Sequence, residues 1–135
     1  MGYLVFCVTM SQPPVTFELH AQYLLVIGHG VRDSLANMVD SANLIYKKAK
    51  ETNSRKMLVD FRQLEIHVRI TEAFNIVKTY EHSLPELRTI VVAAVFEPRH
   101  RDFARYWHEV SAQRGFTIEV FEDINEARTW LLAQE

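Results

Sequence analysis

The chain has a single cysteine, Cys7, and only four glycines and four prolines in 135 residues. A lone cysteine cannot close an intramolecular disulfide and has no cysteine partner for a zinc site, so the chain suits a reducing compartment such as the cytoplasm. With 48% hydrophobic and 24% charged residues, the composition excludes disordered and fibrous proteins. We expect one domain over residues 1–135, because this length can bury one core but not two.

An excess of positive charge and a long apolar run are also missing. The formal net charge is -2, whereas nucleic-acid-binding domains usually carry a clustered basic excess. The apolar residues 3–8 are too short for a signal-peptide core and lack a basic segment before them, so they predict a strand. No later run approaches the roughly 20 apolar residues of a membrane helix. The sequence therefore argues against nucleic acid as a partner and against a transmembrane segment.

Strand-like and helix-like segments alternate along the rest of the chain. An alternating segment and a continuously apolar one flank a short polar connection at residues 15–27, which predicts a hairpin. Later strands are predicted at 56–61, 89–95 and 116–121, with the second of these central in the sheet. Helices are predicted from Asp33 to Thr52, from Thr71 to Pro85, up to Gly115, and from Asp123 onward. This order favours a mostly parallel sheet covered by helices, with the hairpin toward one edge.

Local signals predict how the helices begin. Asp33 and Thr71 are expected to be N-caps, whose side-chain oxygens accept from exposed backbone N–H groups. Asp123 and Glu126 have the spacing of a capping box. We interpret residues 62–69 as a polar connector, and residues 28–30, Gly-His-Gly, as a tight entry into the first helix.

The segments from about Val15 to Leu132 resemble the SpoIIAA-like family, small domains related to the STAS anti-sigma-factor antagonists. The likeness is carried by residues 23–30 (YLLVIGHG), 57–62 (MLVDFR), 89–95 (TIVVAAV), 114–116 (RGF), 120–127 (VFEDINEA) and 130–131 (WL). The resemblance implies an α/β fold, with a mixed sheet of about five to six strands and four helices. It also implies a non-enzymatic, cofactor-free regulatory domain that binds protein partners, including a second copy of itself as a homodimer, in a bacterial type of cytoplasm.

STAS antagonists are regulated by phosphorylation of a serine in an Asp-Ser-Ser-Gly-like turn. In this chain that turn falls at residues 68–71, which read Val-Arg-Ile-Thr. Thr71 is the only hydroxyl there. A modified Thr71 is therefore an alternative to its interpretation as a simple N-cap, since a phosphate is favourable at a helix N-terminus.

Arginine and histidine recur where the parallel strands are predicted to end. Ligands of parallel sheets bind beyond these carboxyl ends. The candidates for binding a small anion are His29, Arg32, Arg62, His67, Arg69, Arg99, His100 and Arg101. Acidic residues in the same segments offer the alternative of ordinary ion pairs.

No catalytic or metal-binding pattern is found. None of the six histidines belongs to a His-Glu-x-x-His motif, and His100 and His108 have no obvious third ligand. Cys7 is flanked by apolar residues, which disfavour its reactive thiolate form. The sequence also lacks the Gly-x-Ser-x-Gly motif of a nucleophilic serine. We therefore predict no enzyme and no metal.

The third predicted helix carries more large apolar side chains than one buried stripe needs. These are Phe103, Tyr106, Trp107 and Val110. A hydrophobic pocket or a subunit interface could use the surplus. The SpoIIAA-like fold also resembles the lipid-carrying SEC14 (CRAL-TRIO) fold, so a binder or carrier of a small apolar, lipid-like ligand is the alternative function.

Overall fold

The computed structural model describes residues 12–135, so the strand predicted at residues 3–8 lies outside the described part. Within that range the strands are β1 (Val15–Leu19), β2 (Leu24–Gly28), β3 (Gly30–Arg32), β4 (Lys56–Asp60), β5 (Leu64–Ile66), β6 (Val91–Val95) and β7 (Thr117–Phe121). The α-helices are α1 (Leu35–Glu51), α2 (Glu72–Ser83), α3 (Arg101–Gln113) and α4 (Ile124–Leu132). Short 3-10 helices span Pro85–Thr89 and Pro98–His100. None of the helices in residues 12–135 has the length and apolar character needed to cross a membrane.

The main sheet has five strands in the order β1-β2-β4-β6-β7. β1 pairs with β2 antiparallel, as the predicted edge hairpin, and the other neighbours are parallel. β6 lies between β4 and β7, which agrees with its continuously apolar sequence, since strands covered on both faces lack polar alternation. The predicted mixed α/β fold with four helices is confirmed for the described residues.

The two faces of the main sheet are covered by different numbers of helices. Side chains alternate along a strand, so Met57 and Val59 of β4 belong to the large core beneath α1, α2 and α3. Leu58 points to the opposite face, where it packs into a smaller core with α4. The large core is where three helices meet one sheet, and it contains the candidate site.

A second, two-stranded sheet corrects two sequence predictions. β3 and β5 pair in parallel, with Arg32 opposite Ile66, just past the carboxyl ends of β2 and β4. The segment 62–69 is therefore not merely a connector, and residues 28–30 lead into β3 before α1 begins. Each strand has three residues, too few for a periodic pattern, and only their pairing across the fold defines them.

The chain turns sharply at the glycines that flank this small sheet. A Cβ on Gly28 would lie 2.8 Å from Cδ1 of Phe61, so the ring packs directly on the backbone there. Gly30 has a φ of +84°, in the left-handed region that glycine adopts without strain. These two positions let β2 end and β3 begin within three residues.

The predicted cap at Asp33 is wrong, and the cap position predicted at Thr71 is confirmed without its side-chain hydrogen bond. Ser34, not Asp33, is the N-cap of α1, and it forms a reciprocal capping box with Asn37. The Asp33 carboxylate instead accepts from the Asn37 side chain at 2.7 Å. Thr71 precedes α2 but makes no side-chain cap hydrogen bond, because its backbone is already helical (φ -60°, ψ -20°). A capping side chain needs an extended backbone to reach back to the helix N–H groups.

The helix start predicted at Asp123 and the helix end predicted at Gly115 are confirmed, although the described residues show no return bond from the Glu126 side chain that would complete a capping box. Asp123 is extended, and its Oδ1 accepts from the backbone N–H groups of Asn125 at 2.8 Å and Glu126 at 3.0 Å. Gly115 follows α3 with a φ of +85°, the left-handed conformation that ends many helices. Both signals act within a few residues, which is why the sequence alone located them.

Candidate functional site

A cavity of about 110 Å³ lies between the main sheet and helices α1, α2 and α3, and it is partly open to solvent. It follows β4 from Met57 toward Phe61, and continues to Leu64 and Ile66 of the small sheet. Other lining residues come from α1 (Met38, Ser41, Ala42, Ile45), from α2 and α3 (Ile76, Tyr80, Phe103, Trp107) and from β6 and β7 (Val92, Ile118). Its lining is almost entirely apolar.

A chain of aromatic rings forms one wall of the cavity. Phe61 meets Phe96 edge to face with ring centroids 5.5 Å apart, and Phe96 meets Trp107 at 5.7 Å. The indole N–H of Trp107 donates to the Tyr80 hydroxyl at 3.2 Å. Tyr80 then meets Phe116 at 5.6 Å, again edge to face. These contacts hold the rings in defined orientations, so the wall is preformed.

The Tyr80 hydroxyl keeps an unused donor at this wall. Burial raises the pKa of Tyr80 to about 12, so the phenol stays protonated at neutral pH. The oxygen accepts from Trp107, but its own proton has no acceptor among residues 12–135. A bound molecule with an acceptor atom could take this bond.

Among the described residues that line the cavity, Arg32 is the one that carries a charge. It is only 5% exposed. Its terminal nitrogens donate to the carbonyl oxygens of His29 at 2.8 Å and Pro14 at 2.7 Å. No carboxylate pairs with it in the described part of the chain, and residues 1–11 contain no Asp or Glu. Burial lowers the pKa of Arg32 without an opposing contribution from an acid.

Two of the other predicted anion-binding residues are paired with acids. Arg62 donates to Asp60 through Nε at 2.9 Å and through a terminal nitrogen at 2.8 Å. Burial opposes ionisation of Asp60, but the hydrogen bonds from Arg62 hold its pKa below the ordinary value. On the surface, Arg101 donates to the two carboxylate oxygens of Glu122, through Nε at 2.6 Å and through a terminal nitrogen at 2.9 Å. These cations are already neutralised.

The residues predicted around the small sheet hold its backbone. Arg99 donates to the Leu64 carbonyl at 3.2 Å, and the Ile66 N–H donates to Nε2 of His100 at 3.3 Å. Burial is the main reason that the pKa of His100 is lowered, and the neutral ring can accept this bond. His29, itself buried, lies 2.8 Å from the Thr16 hydroxyl through Nε2.

Two predicted residues remain near the surface. His67 lies 3.3 Å from Glu65 at an exposed position, and Arg69 is exposed. The eight residues predicted to bind an anion are thus divided among ion pairs, hydrogen bonds to the backbone and solvent-exposed positions. Arg32 alone of this set borders the cavity.

Of the apolar residues predicted on α3, Phe103 and Trp107 line the cavity. Val110 is buried in the same core, and half-buried Tyr106 packs against it, without lining the cavity. The contribution of α1, through Met38, Ser41 and Ala42, was not predicted. The adjacent small residues Ser41 and Ala42 on this helix were the available signal, because small side chains leave room between a helix and a sheet.

Thr71, the candidate modification site, is exposed at the start of α2. Cys7, which the sequence analysis argued against as a nucleophile, lies outside the described residues. Across residues 12–135, no three His, Cys, Asp or Glu side chains are grouped so that they could hold a metal ion.

The whole described chain resembles solved structures with a SpoIIAA-like fold. One is an uncharacterised protein of the DUF3478 family from Shewanella loihica PV-4, described as having a SpoIIAA-like fold. It is 15% identical, with a TM-score of 0.55, over 87% of this chain and 91% of that one. Another is an anti-sigma factor antagonist from Mycobacterium paratuberculosis, also 15% identical with a TM-score of 0.55, over 90% of this chain and 98% of that one. No family model and no curated protein matches the chain. The chain therefore has the SpoIIAA-like fold that its sequence predicted.

Proposed function

We propose that this SpoIIAA-like domain is a non-enzymatic binding domain that takes a small apolar molecule into the cavity between the sheet and α1, α2 and α3. The observation that carries the proposal is the partly open, aromatic-walled cavity of about 110 Å³. Binding pockets for small molecules are mostly apolar, with a few polar groups that orient the ligand. Arg32 and the Tyr80 hydroxyl are such groups here. We place this activity in the cytoplasm of a bacterial type of cell.

The energetics of the cavity favour an occupant. A ligand that enters the cavity of about 110 Å³ removes its own apolar surface from water, which contributes roughly 25 cal/mol per Å² of that surface. An apolar cavity of about 150 Å³ holds a benzene molecule. The smaller but partly open space here therefore suits a ring of about six carbons, with any substituent toward the opening.

Toluene is a direct probe of this function. We expect saturating toluene to raise the melting temperature of the wild type, because a ligand that binds only the folded state stabilises it. Ala42→Leu should weaken toluene binding at least tenfold, since the added atoms enter the cavity from α1. Ala36→Leu makes the same change on the exposed side of α1 and should leave binding intact. Calorimetric titration measures each Kd.

Two results would refute the proposal. One is a wild-type protein whose melting temperature and calorimetric trace do not respond to toluene. The other is an Ala42→Leu variant that binds toluene as tightly as Ala36→Leu does. Native mass spectrometry of the purified wild type adds an independent readout, because a molecule that co-purifies would be displaced by toluene.

A second candidate function is protein binding as a homodimer, the role implied by the family resemblance. The observation that favours it is the surface at the start of α2, at the position of the phosphorylated serine in STAS antagonists. Ile70 is 44% exposed there, next to the exposed Thr71. An exposed isoleucine beside a modifiable hydroxyl is suited to a contact that phosphorylation would disrupt.

Light scattering after size exclusion tests this candidate. We expect a mass of two chains for the wild type and of one chain for Ile70→Asp, because a buried carboxylate would oppose the contact. Leu44→Asp on α1 is the matched control, since Leu44 is 43% exposed, and it should remain a dimer. A wild type that is monomeric throughout a concentration series would exclude the homodimer.

A further inference from the structure

We infer that the ligand of the cavity is a small carboxylic acid, whose carboxylate binds Arg32 while its apolar body lies along the aromatic wall. This inference rests on the proposed function, because it names the chemical class of molecule that the cavity takes. It assigns Arg32 a role in binding in addition to its contacts with the backbone.

Arg32 carries a buried positive charge that lacks an acidic partner among the described residues. Arginine is almost never fully buried unless an acid pairs with it, yet Arg32 is 5% exposed and, among residues 12–135, its side chain donates to two carbonyl oxygens only. Guanidinium carries more N–H donors than these two bonds use. Its remaining donors are not among the side-chain atoms that the protein encloses without a partner. Arg32 lines the cavity, so it brings there a positive charge that no carboxylate among residues 12–135 neutralises.

The location of Arg32 orients the ligand. Arg32 pairs with Ile66 in the small sheet, and Ile66 and Leu64 line the same end of the cavity. The acid group thus belongs at this end, beyond the carboxyl ends of the strands. From there the cavity leads past Phe61 and Phe96 toward Trp107, so the apolar body extends inward.

The number of cations selects the type of anion. Arg32 is the only charged residue of the lining within residues 12–135, which suits a monoanion better than a phosphate dianion. Guanidinium also matches a planar carboxylate through parallel N–H···O bonds, and such charge-assisted bonds are about twice as strong as neutral ones. A carboxylic acid with a body of about six carbons satisfies both the charge and the space.

Phenylacetate and phenylacetamide separate the charge from the body, because they share the same ring and nearly the same shape. We expect calorimetry to show that the wild type binds phenylacetate at least 10-fold more tightly than phenylacetamide. In Arg32→Met that preference should fall to about 1, with the Kd of phenylacetamide changed little. Arg69→Met removes an exposed arginine and should keep the wild-type preference.

The possible results distinguish this inference from the proposed function. Equal wild-type affinities for phenylacetate and phenylacetamide would overturn the carboxylate inference and leave the cavity function standing. Tighter binding of phenyl phosphate than of phenylacetate would also overturn it. If toluene and both ring compounds fail to bind, the proposed function itself fails.

Arg32 also donates to the carbonyl groups of Pro14 and His29, so Arg32→Met loses two hydrogen bonds that hold the fold, and a second test is needed for the case that this variant does not fold. The Arg32 Nε–H signal in the NMR spectrum of the wild type then provides the test. Phenylacetate should shift that signal and phenylacetamide should not. An identical response to both compounds would overturn the inference without any variant.

Discussion

The Leu58→Ala variant is expected to lose about 3 kcal/mol of its free energy of unfolding. Large-to-small substitutions of buried leucine cost about 2–5 kcal/mol, because the lost transfer energy is added to the cost of the cavity left behind. Leu58 is 0% exposed, at the centre of the smaller core with Ala93, Val95, Ala127 and Leu131. Two of these neighbours are alanines, which have no spare atoms to move into the space.

Urea denaturation of the wild type and of Leu58→Ala measures this loss. Leu132→Ala is the matched control on α4, where Leu132 is 38% exposed, and it should change the free energy by about 0.5 kcal/mol or less. A loss below about 1 kcal/mol for Leu58→Ala would mean that α4 does not cover this face of the sheet. The result bears on the fold alone, because Leu58 does not line the cavity.

The second large effect is expected at Trp107, where replacement by alanine should lower the free energy of unfolding by about 3–5 kcal/mol. Trp107 is 6% exposed. It contacts Phe96 edge to face, and its N–H donates to Tyr80. Removing it enlarges the cavity and leaves the phenol of Tyr80 without its donor. The loss therefore combines apolar burial, ring contacts and a buried hydrogen bond.

Indole restores the missing atoms and so provides a specific readout. We expect indole to raise the melting temperature of Trp107→Ala by more than it raises that of the wild type, since it refills the space of the removed side chain. Trp130→Ala is the control, because Trp130 is half-buried on the α4 side and packs on Phe121. The Trp130→Ala variant should lose less free energy of unfolding than Trp107→Ala does.

An equal response of Trp107→Ala and Trp130→Ala to indole would contradict the assignment of Trp107 to the cavity wall. Trp107→Leu keeps more of the buried volume and serves if the alanine variant does not fold. For that variant the predicted loss is smaller, and the gain from indole is smaller in the same proportion.

Leu58 and Trp107 lie in different cores, on opposite faces of the main sheet. The smaller core contains five closely packed buried residues beneath one helix, and its role is to close one face of the sheet. The larger core receives three helices and retains a cavity. Substitutions in the first should change stability alone, whereas substitutions in the second should change stability and ligand binding together.

The sequence by itself determined the features that depend on neighbouring residues. Apolar periodicity located α1 to α4 and the strands of the main sheet within residues 12–135, and Asp123 and Gly115 marked the ends of helices. The order of these elements, with their crossovers, was sufficient for the mixed α/β fold and the SpoIIAA-like resemblance. These signals are local, so no knowledge of distant contacts was needed.

Only the tertiary structure decided the site. Arg32 and Ile66 become neighbours through the pairing of two three-residue strands, which are too short to leave a periodic signal. In the sequence, Arg32 is one of several similar cations. Acidic residues lie near Arg32, Arg62 and Arg101 alike, so the sequence does not show which of these arginines is paired. Packing paired the last two of these with Asp60 and Glu122 and left Arg32 without an acid beside an apolar cavity. Which charge lacks a partner depends on distances across the fold, and these are not encoded in any local pattern.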